Sequence, residues 1–265
     1  MDLLLKGKRA LVTGSTSGIG WASARELAAE GAHVVLSGRD PARLASAVAR
    51  IQAEVAGAVV SGVVADLSTA AGCQQLLDGA GELDILVNNL GIFEPKPFEQ
   101  IGDEDWTRFF EVNVMSGVRL SRHHLPRMKA RNWGRIVFIS SESGICPPAE
   151  MVHYGMSKSA QLSVSRGLAE TCIGTGVTVN SVLPGPTRTE GVGDFFATLA
   201  RDAGQTLEQA EHDFFKFARP TSLLQRFIEP AEIAAMVTYV CSPRSAATNG
   251  AALHVEGGVV RSLIY

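Results

Sequence analysis

The chain has 265 residues, and its 24 basic against 27 acidic side chains leave a formal net charge of −3. This length suits one large α/β domain with a sizeable core, and the slightly acidic balance argues against nucleic acid as a partner. No apolar run approaches the ~18 residues that span a bilayer, so we expect no membrane segment.

The cysteines give no sign of cross-links or metal binding. They are widely spaced and form no Cys-x-x-Cys pair, so neither a zinc site nor a disulfide framework is expected. Since no disulfides are expected, we expect the protein in the reducing cytoplasm. The four are Cys73, Cys146, Cys172 and Cys241.

Short β-branched runs alternate along the chain with longer segments of helical periodicity. The predicted strands are residues 9–13, 33–37, 59–65, 85–88, 135–140, 177–183 and 252–255. The predicted helices lie at about 19–30, 41–54, 103–129, 152–173 and 229–241. Most of the strands are continuous apolar runs, which indicates that helices cover both faces of their sheet. The pattern predicts a single α/β domain over residues 1–265, with a doubly wound, parallel sheet of seven strands.

Residues 189–225 interrupt this alternation. They follow a predicted strand but have helix-like spacing, and they hold five of the eleven phenylalanines. A long excursion between a strand and a helix is typical of a substrate lid or another binding element. A helical pair that packs its aromatic side chains on the domain is an equal alternative. The phenylalanines are Phe195, Phe196, Phe214, Phe215 and Phe217.

A glycine-rich turn joins the first predicted strand to the first predicted helix. Its pattern is Thr-Gly-x-x-x-Gly-x-Gly over residues 13–20. Glycines at such a junction let the backbone turn tightly and approach a pyrophosphate, which the free N–H groups of the helix N-terminus attract. Because the turn opens an alternating α/β chain, it predicts a dinucleotide site. Asp66 and residues 88–91 follow later strands, at the sheet edge where ligands of such folds bind.

The end of the second predicted strand bears on the choice of dinucleotide. Folds of this kind usually carry an acidic residue there for the adenosine ribose, but Gly38 takes that place and Arg39 follows. A guanidinium can pair with a 2′-phosphate, so NADP(H) is favoured, while NAD(H) stays possible. The alternative for Arg39 is a solvated turn residue. Asp40 precedes Pro41 and is interpreted as a helix cap.

Tyr154 and Lys158 lie four residues apart in a predicted helix, which puts both on one helical face. A phenol titrates near pH ~10, and a neighbouring ammonium favours the phenolate. Lowering the pKa of the tyrosine to about 7 needs about 4 kcal/mol, which a close cation and a cationic nicotinamide could supply. The fifth predicted strand ends in Ser140, Ser141 and, two residues further, Ser143; Ser141 precedes Tyr154 by thirteen residues.

Several motifs together make the chain resemble the short-chain dehydrogenase/reductase family. They are the glycine pattern at 13–20, Asn-Asn-x-Gly at 88–91, the asparagine of Phe-Glu-Val-Asn-Val at 110–114, the serine-to-tyrosine spacing, Tyr-x-x-x-Lys at 154–158 and Pro-Gly at 184–185. The resemblance covers about residues 6 to 260. It implies a Rossmann-type domain, hydride transfer between a nicotinamide cofactor and a small carbonyl or alcohol substrate, and usually a homotetramer or homodimer.

The resemblance also implies a role for each matching residue. Tyr154 would be the general acid or base, and Lys158 would hold the ribose and lower the pKa of the tyrosine. Ser141, chosen over the two neighbouring serines by spacing alone, would polarise the carbonyl oxygen. Asn113 would fix a water of the proton relay. The expected cofactor-binding residues are Gly14, Ser15, Ser17, Gly18, Ile19, Gly20, Arg39, Asp66, Leu67, Asn89, Gly91, Tyr154, Lys158, Pro184, Gly185 and Thr187.

Two other functions stay open. A 3-oxoacyl-carrier-protein reductase is suggested by the stretch 119–135, which holds six cations and no acid and could dock an acidic carrier. The same stretch is otherwise a solvated helix end. A dinucleotide-binding sensor without catalysis is the alternative from another class, and the complete Asn-Ser-Tyr-Lys set speaks against it.

Overall fold

Seven parallel strands form one sheet in the computed structural model, which describes residues 2–262. Their order across the sheet is β3-β2-β1-β4-β5-β6-β7. The strand order reverses between β1 and β4, the switch point that defines a doubly wound Rossmann-type fold. The predicted fold class is therefore confirmed. The strands are β1 (Arg9–Val12), β2 (His33–Gly38), β3 (Val59–Val64), β4 (Ile85–Asn88), β5 (Gly134–Ile139), β6 (Val177–Pro184) and β7 (Ala252–Val255).

Helices cover both faces of the sheet, as the apolar strands predicted. One buried cluster joins the sheet to α1, α2 and α9, and a second joins its other face to α3, α5 and α6. The helices are α1 (Gly18–Ala29), α2 (Pro41–Glu54), α3 (Ala70–Ala80), α4 (Asp103–Phe109), α5 (Ser116–Ala130), α6 (Val152–Glu170), α7 (Glu190–Asp202), α8 (Leu207–Asp213) and α9 (Pro230–Cys241).

Two features of the helices differ from the sequence prediction. Helix α3 was not predicted, although the Thr69 side chain caps it by accepting a hydrogen bond from the Gly72 N–H at 3.0 Å. The helix predicted over 103–129 is divided by a π-helical turn, Phe110–Met115, into α4 and α5. A single extra residue per turn leaves the apolar period almost unchanged, so the sequence pattern does not reveal it.

The segment 189–225 contains α7, α8 and a π-helical turn, Phe214–Ala218. Its aromatic side chains pack with Phe227 into a small separate core. The ring centres of Phe196 and Phe215 lie 5.0 and 5.1 Å from that of Phe227. The ring centre of Phe214 lies 5.1 Å from those of Phe196 and Phe215. The helical pair expected as an alternative is therefore present. The same segment also forms one wall of the cavity described next.

Candidate active site

A cavity of about 540 Å³ opens at the carboxyl ends of the strands, between the glycine-rich turn, α6 and the segment 189–225. It lies at the sheet edge where doubly wound folds bind ligands. The expected site residues that line it are Ser17, Gly18, Ile19, Gly20, Asn89, Gly91, Ser141, Tyr154, Lys158, Pro184, Gly185 and Thr187. Those outside its lining are Gly14, Ser15, Arg39, Asp66, Leu67 and Asn113.

The glycine-rich turn has room for a pyrophosphate. Gly14 and Gly18 adopt positive φ angles of 59° and 57°, which L side chains rarely tolerate. A Cβ atom on Gly20 would lie 2.4 Å from the Asn89 Nδ2 atom and 2.5 Å from the Gly14 carbonyl oxygen. Helix α1 begins here without a side-chain cap on Ser17 and without an acidic residue in its first turn. Uncapped N–H groups at a helix N-terminus fit an anion, so the turn suits a dinucleotide.

Ser15 and Asn89 brace this turn through its backbone. The Ser15 hydroxyl accepts a hydrogen bond from the Ser37 N–H at 3.0 Å and so ties the end of β1 to β2. The Asn89 amide donates to the carbonyl oxygens of Thr13 at 2.9 Å and Gly14 at 3.1 Å. Both side chains therefore hold the shape of the cradle.

The end of β2 carries Gly38 where a ribose-binding carboxylate usually stands in such folds. A Cβ atom on Gly38 would lie 2.5 Å from the Thr16 methyl group, so a larger side chain there would require the Thr16 side chain to move. Arg39 is exposed and has no hydrogen-bond or salt-bridge partner within residues 2–262. Hydrogen bonds from Ser68 lower the pKa of Asp66, and the positive charge of Arg39 lowers it further. An unengaged guanidinium beside the site suits a 2′-phosphate.

The cap assigned to Asp40 is confirmed. Its carboxylate accepts a hydrogen bond from the Arg43 N–H at 3.0 Å, and Pro41 occupies the first position of α2. Asp40 is thereby engaged with the helix rather than turned to a ribose.

Tyr154 and Lys158 share one face of α6, with the Lys158 Nζ atom 5.6 Å from the centre of the phenol ring. The ammonium donates hydrogen bonds to the Ile139 carbonyl oxygen at 2.9 Å and to the Gln161 Oε1 atom at 3.2 Å. Burial lowers the pKa of Lys158 to about 8. The lysine is thus fixed between the end of β5 and its own helix.

The phenol of Tyr154 is held neutral by its surroundings. Burial raises its pKa above the usual value, and the charge of Glu142 raises it further. A hydrogen bond with Ser141 and the charge of Arg219 act in the opposite direction. The lowering expected from Lys158 is not found among these causes, because the ammonium is turned toward two other oxygen atoms. The lowering of the Tyr154 pKa by Lys158 together with a cationic nicotinamide stays a prediction.

Among the three serines after β5, the structure brings Ser141 to Tyr154. The Ser141 hydroxyl donates to a Glu142 carboxylate oxygen at 2.5 Å and accepts from the Ser143 N–H at 3.1 Å. The Ser140 hydroxyl instead donates to a backbone carbonyl of α6 at 2.9 Å. All three serines line the cavity, so the choice of Ser141 stays a prediction.

Asn113 sits in the first π-helical turn and is fully engaged. Its side chain exchanges hydrogen bonds with the backbone of Ile92 at 2.8 and 3.0 Å and donates to the Ser157 hydroxyl at 2.9 Å. The backbone carbonyl oxygen of Asn113 accepts a hydrogen bond from the Gln161 Nε2 atom at 2.5 Å. Because Gln161 also accepts a hydrogen bond from Lys158, its side chain connects the lysine to the backbone of Asn113. Gln161 was missed, although it lies three residues after the lysine on the same helix.

Glu142 and Arg219 were also missed by sequence reasoning. Both line the cavity, and the Arg219 Nε atom lies 3.6 Å from a Glu142 carboxylate oxygen. The position of Glu142 beside Ser141 was visible in the sequence. Its partner stands 77 residues away in the helical segment, and no local pattern connects the two.

The basic stretch 119–135 is partly paired within the chain. Arg119 pairs with an acidic residue of the first π-helical turn, and Arg127 and Arg131 both pair with Glu82. Arg135 is buried and donates to backbone carbonyl oxygens. Three of the six cations are thus in ion pairs, and two of them share one carboxylate, so most of the positive charge of the stretch is not neutralised within the chain.

Neither a metal cluster nor a membrane-spanning helix is present in residues 2–262. Within that range, no group of three or more His, Cys, Asp or Glu side chains is placed to hold a metal ion. No helix in the same range combines the length and apolar character required to cross a bilayer.

Comparison with known proteins identifies the family. Residues 8–200 match the model of the short chain dehydrogenases. The chain is 51% identical to the uncharacterized oxidoreductase YvaG of Bacillus subtilis (strain 168) over 263 residues, 99% of this chain and all of that protein. It is 34% identical to the 3-oxoacyl-[acyl-carrier-protein] reductase FabG of Aquifex aeolicus (strain VF5), across 98% of this chain and 100% of that one. The chain belongs to the short-chain dehydrogenase/reductase family, which acts on alcohol and carbonyl groups with NAD(P).

A solved structure agrees with this assignment. The L-sorbose reductase from Gluconobacter frateurii, complexed with NADPH and L-sorbose, superposes with a TM-score of 0.93 at 32% sequence identity. The match covers 99% of this chain and 100% of that one. The two proteins therefore share the whole domain, including the segment 189–225.

Proposed function

We propose that this protein is an NADP(H)-dependent oxidoreductase that interconverts a small ketone or aldehyde and the corresponding alcohol, with Tyr154 as acid and base. The observation that carries the proposal is the meeting of Tyr154, Ser141 and Lys158 in one cavity whose other end is the glycine-rich cradle. A binding protein without chemistry has no need for a partly buried phenol beside a serine and an ammonium.

The proposed mechanism assigns one task to each side chain. When bound, the nicotinamide supplies a hydride to the carbonyl carbon or takes it from the alcohol. Tyr154 donates its proton to the carbonyl oxygen in reduction, a role that suits a phenol kept neutral by burial. Ser141 orients the substrate oxygen next to the phenol. Lys158 binds the nicotinamide ribose and supports ionisation of Tyr154 in the reverse direction.

NADP(H) is proposed over NAD(H) for two reasons. A ribose-binding carboxylate at Gly38 would require the Thr16 side chain to move, and Arg39 beside it has no hydrogen-bond or salt-bridge partner within residues 2–262. The structurally similar L-sorbose reductase was crystallised with NADPH. Asp66 and Leu67, which follow β3, are assigned to the adenine end, and Asn89 and Gly91 to the ribose side.

The segment 189–225 is proposed to act as a lid over the substrate. Its residues Val192, Phe195, Leu199 and Phe214 face the cavity, which gives the substrate an apolar wall. The carrier-protein reductase remains the second candidate because of the FabG relative, although half of the cations in the basic stretch that suggested docking are in ion pairs within the chain. A cytoplasmic homotetramer or homodimer is the assembly that we propose.

Replacement of the phenol tests the function. Tyr154→Phe should bind NADPH with unchanged affinity and lose activity by about 10²-fold or more, because proton transfer fails while the cavity keeps its shape. The assay is NADPH oxidation with L-sorbose and a panel of aliphatic and aromatic ketones. Tyr239→Phe, a half-exposed tyrosine on α9, is the matched control and should retain full activity. Substantial turnover by Tyr154→Phe would refute the assignment.

A further inference from the structure

A buried carboxylate lies directly beside the proposed catalytic serine. The Glu142 side chain is 8% exposed. Its Oε2 atom accepts a hydrogen bond from the Ser141 hydroxyl, with 2.5 Å between the two oxygen atoms. A buried carboxylate is costly unless another charge compensates it. The described chain supplies that charge from a distant element, the segment 189–225.

The compensating charge is Arg219, whose side chain is 12% exposed. Its Nε atom lies 3.6 Å from Glu142, and its Nη1 atom donates to the Glu150 carboxylate at 3.1 Å. The guanidinium also lies 5.5 Å from the ring centre of Phe214, in its own segment. One side chain therefore connects the segment 189–225 to the serine loop and to the loop before α6.

The same pair acts on the phenol. The groups that face Tyr154 are Glu142 and Ser141 from the loop after β5, Arg219 from the helical segment and Lys158 from α6. Glu142 disfavours the phenolate, and Arg219 opposes that effect. If Arg219 moves away with its segment, the negative charge beside Tyr154 is left uncompensated.

We propose that Glu142 is a positioning residue and that Arg219 is its counter-ion on the lid. Together they couple the position of the segment 189–225 to the chemistry of Ser141 and Tyr154. Glu142 fixes the direction of the serine hydroxyl, and Arg219 restores a balanced charge at the phenol only when the segment is closed. This inference rests on the proposed function, because it assigns Tyr154 the proton transfer.

A rescue experiment tests the coupling. Arg219→Met leaves Glu142 uncompensated, so the rising limb of the pH profile of kcat/KM for alcohol oxidation should move to higher pH by about half a unit to one unit. Activity at neutral pH should then fall about threefold to tenfold. Adding Glu142→Gln, which keeps an oxygen to accept from Ser141, should return the limb toward that of the wild type. The substrate is the most active secondary alcohol of a panel assayed with NADP+.

Several variants separate this effect from general damage. Arg201→Met and Glu208→Gln change exposed residues of the same segment and should leave the profile unchanged. Arg219→Lys keeps the charge and should retain most of the wild-type profile. If Arg219→Met does not fold, Glu142→Gln alone should move the limb to lower pH. Proteolysis gives a readout without turnover, because loss of the pair should raise cleavage within residues 189–225.

Two results would overturn the coupling. One is that the double variant, Arg219→Met with Glu142→Gln, is as slow at neutral pH as Arg219→Met alone. The other is that the rising limb of the pH profile of kcat/KM lies at the same pH in every variant. Either outcome with an inactive Tyr154→Phe variant rejects the ion pair alone. An active Tyr154→Phe variant instead rejects the proposed function, so the two failures are distinguishable.

Discussion

Titration of Lys158 should make the stability of the protein depend on pH. The side chain is 4% exposed, and burial lowers its pKa from 10.5 to about 8. Between these two values the unfolded chain binds more protons than the folded protein, so the free energy of unfolding rises with pH across that window. At about 1.4 kcal/mol per pH unit the full difference is about 3 kcal/mol, of which about 1 kcal/mol is recovered between pH 7 and 9.

Urea unfolding of wild type and Lys158→Met, both without cofactor, measures this contribution. The hydrogen bonds lost with the ammonium cost the same at both pH values and cancel in the comparison. The unfolding free energy of the wild type minus that of the variant should therefore increase by about 1 kcal/mol from pH 7 to pH 9. Lys6→Met removes an exposed lysine and should show no such change. A constant or decreasing difference for Lys158→Met would refute the reasoning.

Two further predictions concern the dinucleotide. Gly20→Ala should weaken NADPH binding more than about tenfold, because its Cβ atom would lie 2.4 Å from the Asn89 Nδ2 atom and 2.5 Å from the Gly14 carbonyl oxygen. The control Gly167→Ala, whose Cβ atom meets no atom within 4 Å, should bind NADPH normally. Equal NADPH binding by the two variants would contradict a tightly packed glycine-rich turn. Arg39→Ser should raise the Kd for NADPH about 10- to 100-fold and leave that for NADH nearly unchanged in a fluorescence titration, and an equal loss for both cofactors would remove the 2′-phosphate role.

Features that depend on residues close together in the sequence were predicted well. The seven strands, the glycine-rich turn, the Asp40 cap and the shared face of Tyr154 and Lys158 all follow from local spacing. Each of these rests on backbone geometry over at most a few turns. They include most of the residues proposed to bind the dinucleotide.

Helix α3 shows where local reasoning failed. Its sequence contains two glycines and no charged residue before Asp78, so its helical periodicity is weak. The structure explains one of these glycines, because a Cβ atom on Gly72 would lie 1.9 Å from the Asp66 carbonyl oxygen. Close approach to the loop after β3 thus outweighs helix propensity at this position. The Thr69 cap was the available signal.

The substrate side of the cavity was not predictable for a different reason. Its polar groups depend on partners far apart in the chain, such as Arg219 with Glu142. The sequence shows that such residues exist, but the fold alone decides which of them meet. The pKa of Tyr154 is one example. Burial and the carboxylate of Glu142, on another loop, affect it more than the charge of Lys158, which lies four residues away on the same helix.

This division between the two ends of the cavity bears on what the family resemblance can transfer. The cradle for the dinucleotide is built from backbone and glycines at one strand-helix junction, so a shared fold carries it over almost unchanged. The opposite wall comes from the segment 189–225 and the loop after β5. Its charged residues Glu142 and Arg219 lie next to each other and come from distant parts of the chain. A TM-score of 0.93 to an L-sorbose reductase therefore supports the chemistry of hydride transfer far more strongly than it supports L-sorbose as the substrate.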